Sequence, residues 1–152
     1  MIHFATGATY EGRLSNNLPH GKGMHTYASG SVYKGEFREG FRHGYGEYRH
    51  HIGDVYRGFH EGNKMHGRGR YQFKNGTIYD GQFRNNFKCG YGLLQYSGGD
   101  SYEGFFADDL RSGYGVYRYA NGDVYEGNFD CGKWHGEGKF SSQTGGQYQG
   151  QW

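Results

Sequence analysis

The sequence predicts an all-β chain, an elongated single-layer antiparallel sheet of stacked 23-residue β-hairpins, and three observations predict it. The first is composition: 31 Gly, one Pro, 16 Tyr and 11 Phe in 152 residues of which only 34% are apolar. Glycine at that level costs chain entropy unless each one has a role, and tyrosine and phenylalanine favour strands. The second is the triplet Tyr-x-Gly, which begins at Tyr10, Tyr33, Tyr56, Tyr79, Tyr102, Tyr125 and Tyr148, every 23 residues without a slip. The third is that two further glycine signals keep the same period. Gly-x-Gly recurs from Gly21/Gly23 to Gly136/Gly138, and a lone glycine recurs at Gly30, Gly53, Gly76, Gly99, Gly122 and Gly145. A fixed period of this length marks a repeat architecture.

The elements follow in order. Residues 1–9 are a partial repeat, with Ile2 and Phe4 where second-strand residues of a preceding unit would fall. Six full repeats begin at residues 10, 33, 56, 79, 102 and 125, and residues 148–152 form a partial seventh with Trp152 at the phenylalanine position. The whole of 1–152 reads as a single array, cut from a longer one or with its edges covered by partners. Within a repeat, strand one is Tyr-x-Gly-x-Phe, as in Tyr33 to Phe37, and a polar turn follows, as in Arg38 to His43. Strand two runs from Gly46 to His50 or from Gly115 to Tyr119, and a second turn ends at the lone glycine, with Asn75-Gly76 and Asn121-Gly122 as strong turn dipeptides.

The two-residue period of a strand then sorts the faces. Tyr79, Gly81 and Phe83 share one face, as do Gly115, Tyr117 and Tyr119, so one side of the sheet is aromatic with glycine gaps over which a ring can lie. Each hairpin adds two strands, a rise of about 10 Å, and stability is expected from nearest-neighbour contacts.

Tyr-Glu-Gly-x-Phe, then His-Gly-x-Gly, then a glycine before the next tyrosine, resembles the MORN repeat (membrane occupation and recognition nexus). Tyr33 to Tyr48 and Tyr125 to Phe140 are good copies. His60 stands where phenylalanine is expected, Cys89 and Ser112 replace the histidine, and Ser142 replaces the second aromatic of strand two. The resemblance implies a hairpin ribbon, often dimeric, that serves interaction and not catalysis. The family includes ciliary radial-spoke head proteins, cytoskeletal collar scaffolds, junctophilins and arrays fused to kinases or methyltransferases, and a chain that is almost all array is most similar to the ciliary and cytoskeletal members.

No catalytic or metal chemistry emerges from the residues. The His-Gly histidines His20, His43, His66 and His135 lie a repeat apart, about 10 Å, and cannot converge on one ion; they read as turn caps. Gly-x-Gly has no following helix and no Gly-Lys-Ser/Thr, so it is not a phosphate loop. Cys89 and Cys131 make no disulfide framework, and Asp108-Asp109 reads as a turn. No cofactor and no metal are expected. A net charge of +2 does not point to nucleic acid. With no apolar run of membrane-span length and no secretory signal pattern, the expected setting is cytoplasmic.

Two surfaces are candidates for binding. The first is the aromatic face: Tyr33, Phe37, Tyr48, Tyr56, Tyr71, Phe73, Tyr79, Phe83, Tyr96, Tyr102, Tyr117, Tyr119 and Tyr125. It suits a peptide or helix in a groove, while the sheet edges suit β pairing, including homodimers. The second is a basic edge formed by Arg42, Lys64, Lys88, Arg111 and Lys133 in the first turns, opposite Asp54, Asp100 and Asp123, which suits anionic lipid or an acidic protein tail. The functional expectation is a non-enzymatic scaffold in a cilium, axoneme or other cytoskeletal assembly. The alternatives are a phosphoinositide-binding membrane tether or the targeting segment of a larger enzyme.

Overall fold

A computed structural model describes residues 1–152. It contains no helix, and its fourteen strands follow chain order in one open antiparallel sheet. The chain divides into two compact units, Met1–Lys74 with Arg84–Asn86, and Asn75–Phe83 with Phe87–Trp152. The first carries β1 (Ile2–His3), β2 (Thr9–Ser15), β3 (Leu18–Thr26), β4 (Val32–Arg38), β5 (Phe41–Arg49), β6 (Val55–Glu61) and β7 (Lys64–Gln72). The second carries β8 (Ile78–Arg84, its last residue grouped with the first unit), β9 (Phe87–Gln95), β10 (Ser101–Ala107), β11 (Leu110–Arg118), β12 (Val124–Asp130), β13 (Lys133–Ser141) and β14 (Gln147–Gln151).

The first turn of each repeat is shorter than its polarity suggests. Arg38 to His43 is not a six-residue loop, because β5 already begins at Phe41 and the turn is the dipeptide Glu39-Gly40. Both of its residues have positive φ, 49° and 87°, the conformation of a type I′ hairpin. Asn16-Asn17, Gly62-Asn63, Asn85-Asn86, Asp108-Asp109 and Cys131-Gly132 do the same, which explains the Asn, Asp and Gly at these sites. Strand two is therefore nine residues long against seven for strand one. A bulge absorbs the difference: Gly35 pairs with Gly46, but Phe37 pairs with Arg42. Gly44 sits in that bulge at φ +72°.

The core is made by rings lying on the sheet's own glycines. Gly35 and Gly46 face each other across β4 and β5, leaving a trough that no Cβ interrupts. The Tyr33 ring fills it: a Cβ added at Gly46 would lie 2.2 Å from the Tyr33 hydroxyl oxygen. That hydroxyl donates to the Glu36 carbonyl at 2.9 Å, in its own strand. The same bond is made by Tyr10 to Arg13 at 2.6 Å, Tyr56 to Phe59 at 2.7 Å, Tyr79 to Gln82 at 2.8 Å, Tyr102 to Phe105 at 2.8 Å and Tyr125 to Asn128 at 2.9 Å. These six tyrosines are at most 2% exposed. Phenylalanines seat edge-on between them, Phe37 at 5.2 Å from Tyr10 and 5.1 Å from Tyr33, and Phe129 at 5.1 Å from Tyr102 and 5.2 Å from Tyr125. Edge-to-face pairs of this kind add about 0.5–1.5 kcal/mol each beyond their burial. A single layer thus buries its large rings without a second sheet.

Turns also bind the preceding repeat. The amides of Asn63 and Asn86 donate to the carbonyls of Arg42 and Met65 in the first unit, and those of Asp109 and Gly132 to Lys88 and Arg111 in the second, at 3.0–3.2 Å. Two of the four His-Gly histidines join this ladder: His20 Nδ1 accepts from the Glu39 amide and His66 Nδ1 from the Asn85 amide, both at 3.4 Å.

Candidate functional site

The buried tyrosines leave a second row of rings, contributed by strand two and the residue beyond it, half-exposed on the same face. In the first unit these are Tyr27, Tyr48, His50, Tyr71 and Phe73; in the second, Tyr96, Tyr117, Tyr119 and Trp134. Tyr71 and Phe73 sit 4.6 Å apart with planes at 50°, and Tyr117 and Tyr119 reproduce the notch at 4.6 Å and 49°.

One border of the row is cationic. The Arg42 guanidinium lies 4.9 Å over the Tyr48 ring and donates to the Tyr27 hydroxyl at 2.5 Å and to the Asn63 carbonyl. Arg111, three repeats on, lies 4.9 Å over Tyr117 and donates to the Tyr96 hydroxyl at 3.1 Å and the Gly132 carbonyl at 2.5 Å. Neither forms an ion pair, and the Nε of each is buried without an acceptor. A guanidinium stacked on a ring in this way is held by cation–π attraction, with its charge uncompensated.

The other border is acidic and fixed. Asp54 accepts from the Tyr71 hydroxyl at 2.6 Å and the Lys74 amide at 2.9 Å. Asp100 accepts from the Tyr117 hydroxyl at 2.7 Å and the Ala120 amide at 2.8 Å. Those bonds hold the Asp100 carboxyl below its usual range, the Tyr117 bond contributing most. Burial first, and Asp100 second, push the Tyr117 hydroxyl far up.

In the first unit the row opens into a cavity of about 280 Å³, lined by Arg42, Tyr48, Tyr56, His60, Met65 and Tyr71 among others. His60 fills the phenylalanine slot edge-on to Tyr33 and Tyr56, each at 5.0 Å. Burial, with a smaller contribution from Arg42, pushes its imidazole down to about 4, so it is neutral at pH 7.

The sequence profile of the MORN repeat matches residues 10–32, 33–55, 56–78, 79–101, 102–124 and 125–147. This chain belongs to the MORN repeat family. A search of curated proteins found no match to the array. Among solved structures it is similar to the TCP domain of SAS-4 (dCPAP) of Drosophila melanogaster, in complex with a proline-rich motif of Ana2 (dSTIL). The likeness has a TM-score of 0.51 at 12% identity over 87% of this chain and 73% of that one, and at that identity it is a likeness of fold.

The MORN geometry divides the sequence-predicted residues. Tyr33, Phe37, Tyr56, Tyr79, Phe83, Tyr102 and Tyr125 are at most 5% exposed. They are core and offer a partner no surface, because each ring is pressed into its glycine trough or between two such rings. Tyr48, Tyr71, Phe73, Tyr96, Tyr117 and Tyr119 are half-exposed and remain the candidate face. The basic edge is not one ridge in the turns. Arg42, Lys88 and Arg111 lie within strand two and are half-buried, Lys88 being 5.7 Å over the Tyr79 ring and paired with Asp109 at 3.6 Å. Lys64 and Lys133 are exposed as the first residues of β7 and β13. The cause is the two-residue turn, which draws these positions into the strand. Sequence reasoning missed rings on the opposite face, where Tyr45 meets Phe59 and Tyr91 meets Phe105, each at 5.6 Å and about half exposed. The signal was there: Tyr45 and Tyr91 occupy the middle of Gly-x-Gly, alternate to the trough glycine.

Proposed function

We propose that this MORN array is a non-enzymatic scaffold that captures segments of partner proteins on its half-exposed ring row, in a cytoplasmic cytoskeletal assembly such as the axoneme of a cilium or flagellum. MORN repeats are protein- or membrane-interaction modules. The observation that carries the protein reading is the division of labour between strands. Strand-one tyrosines seal the layer, while strand-two rings stand half-exposed with tips fixed by Asp54 and Asp100. A rigid amphipathic ring row binds at low entropic cost. The SAS-4 TCP domain, similar in fold, is seen with a proline-rich motif, which supports an extended segment as the captured element. Lipid has less to work with, because Arg42, Lys88 and Arg111 are engaged on the ring face.

Proximity labelling in ciliated cells, with the native-length protein and a Tyr48→Ala/Tyr119→Ala variant, tests this. The expected result is enrichment of axonemal or other cytoskeletal proteins that the variant loses while keeping its β circular dichroism. Labelling unchanged by the variant, or co-sedimentation with anionic vesicles that depends on Lys64 and Lys133, overturns it.

A further inference from the structure

We infer that the cavity in the first unit is a socket for one tryptophan side chain of a captured partner segment; this rests on the ring row being the protein-binding face. Every residue lining the cavity belongs to the first unit. Its volume, about 280 Å³, lies at the bottom of the roughly 300–1,000 Å³ range of sites that enclose a drug-sized ligand. That space suits a single anchoring side chain, entering from a segment laid on the adjoining row.

The second unit shows which side chain. In four repeats the residue nine positions after the core tyrosine covers that ring. Arg42 lies over Tyr33 at 5.8 Å, Lys88 over Tyr79 at 5.7 Å, Arg111 over Tyr102 at 5.9 Å, and Trp134 on Tyr125 at 4.4 Å. The corresponding residue for Tyr56 is Met65, and there the space remains a cavity. Trp134 lies parallel to Tyr125 to within 7°, with Phe140 at 5.6 Å and Tyr119 edge-on at 6.3 Å. Three repeats earlier the same places are held by Tyr56, Tyr71 and His50, and all three line the cavity. The aromatic walls that enclose an indole in the second unit are thus repeated around the cavity of the first.

The remaining wall groups suit an indole as well. The Met65 backbone is pinned, its amide donating to Asn86 Oδ1 at 2.9 Å and its carbonyl accepting from the Asn86 amide at 3.0 Å. The Met65 side chain is flexible and polarizable, and packs well on an aromatic ring. Asp54, also in the wall, accepts from the Tyr71 hydroxyl and the Lys74 amide. A carboxylate has about four lone-pair sites, so Asp54 keeps capacity for the indole N–H. Leucine would leave the ring faces unstacked, and phenylalanine brings no donor to Asp54. Tryptophan is also the residue type most able to anchor an interface from within a pocket.

Methyl NMR on the whole chain, labelled at its methionines, tests the socket with N-acetyltryptophan amide, N-acetylphenylalanine amide and N-acetylleucine amide as probes. The tryptophan probe is expected to shift the Met65 methyl upfield by its ring current and to leave Met1 and Met24 in place. It should bind roughly tenfold tighter than the leucine probe, with phenylalanine between them. In proximity labelling, Met65→Trp fills the socket from within and is expected to lose the partners that Tyr48→Ala/Tyr119→Ala loses. Met65→Phe supplies a second, smaller plug. Leucine or phenylalanine binding as tightly as tryptophan overturns the inference, as does a shift at Met1 or Met24 without one at Met65, or labelling by both plugged variants equal to that of the parent. If labelling then still depends on Tyr48 and Tyr119, the ring row survives as the protein-binding face and only the socket falls. If labelling responds to none of the variants, both readings fall.

Discussion

Repeats 56–78 and 125–147 occupy equivalent positions in the two units, three repeats apart, yet treat the same space differently. Tyr56 and Tyr125 are both buried over their glycine pairs and make the same bond to the carbonyl three residues on. Around them the sequence diverges. The first has His60 and Met65, where the second has Phe129 and Trp134. Trp134 lies flat on Tyr125 at 4.4 Å and 7°, while Met65 lines the cavity of about 280 Å³. Arg111 stacks on Phe129 at 5.5 Å, whereas Arg42 faces an imidazole that it helps keep neutral. The tyrosine–glycine fastening is constant, so neighbouring columns are free to vary, and surface features of the array are written there.

The largest expected effect tests the constant part. Tyr56→Ala and Tyr125→Ala should each destabilise the protein by about 3–5 kcal/mol in urea unfolding; a difference between them of more than about 1 kcal/mol would show that the fastening is not shared. Next comes His60→Phe, which makes the first repeat resemble the second. His60 stays neutral in the fold down to about pH 4, whereas the unfolded chain takes up that proton near 6.5. The unfolded state binds more protons in this window, so stability falls as pH drops from 6.5 towards 4. The full gap corresponds to about 3 kcal/mol at the acid end. The parent should lose that much relative to His60→Phe between pH 7 and 4 in matched melts, and parallel curves would refute the assignment. The smallest effect is expected from exchanging the column residues. Trp134→Met should cost about 1–2 kcal/mol, losing its stack on Tyr125, while Met65→Trp should change stability by less than about 1 kcal/mol and fill the cavity, seen as a blue-shifted tryptophan emission.

Much of this architecture was legible in the sequence, because the period, the strand alternation and the ring-over-glycine logic are all carried by residue type. The first turn was not. Arg38 to His43 is polar and reads as loop, but Glu39-Gly40 alone reverses the chain, and Arg42 and His43 are strand residues, the polarity of Arg42 serving the ring face. The same misplacement put Arg42, Lys88 and Arg111 on an edge. The candidate face was half legible: composition named the rings but could not say which are pressed into glycine troughs, since that depends on the cross-strand Gly35–Gly46 register. The exposed Tyr45–Phe59 and Tyr91–Phe105 pairs needed that register too.

Each core tyrosine closes its bond within its own strand, three residues downstream, and lies on glycines of its own hairpin. A duplicated or excised stretch of 23 residues therefore arrives or departs with its own clasp, whereas an insertion of any other size slides a ring off its trough. Changes of array length should thus be inherited in whole 23-residue quanta, each adding or removing one tyrosine clasp while the remaining troughs keep their form.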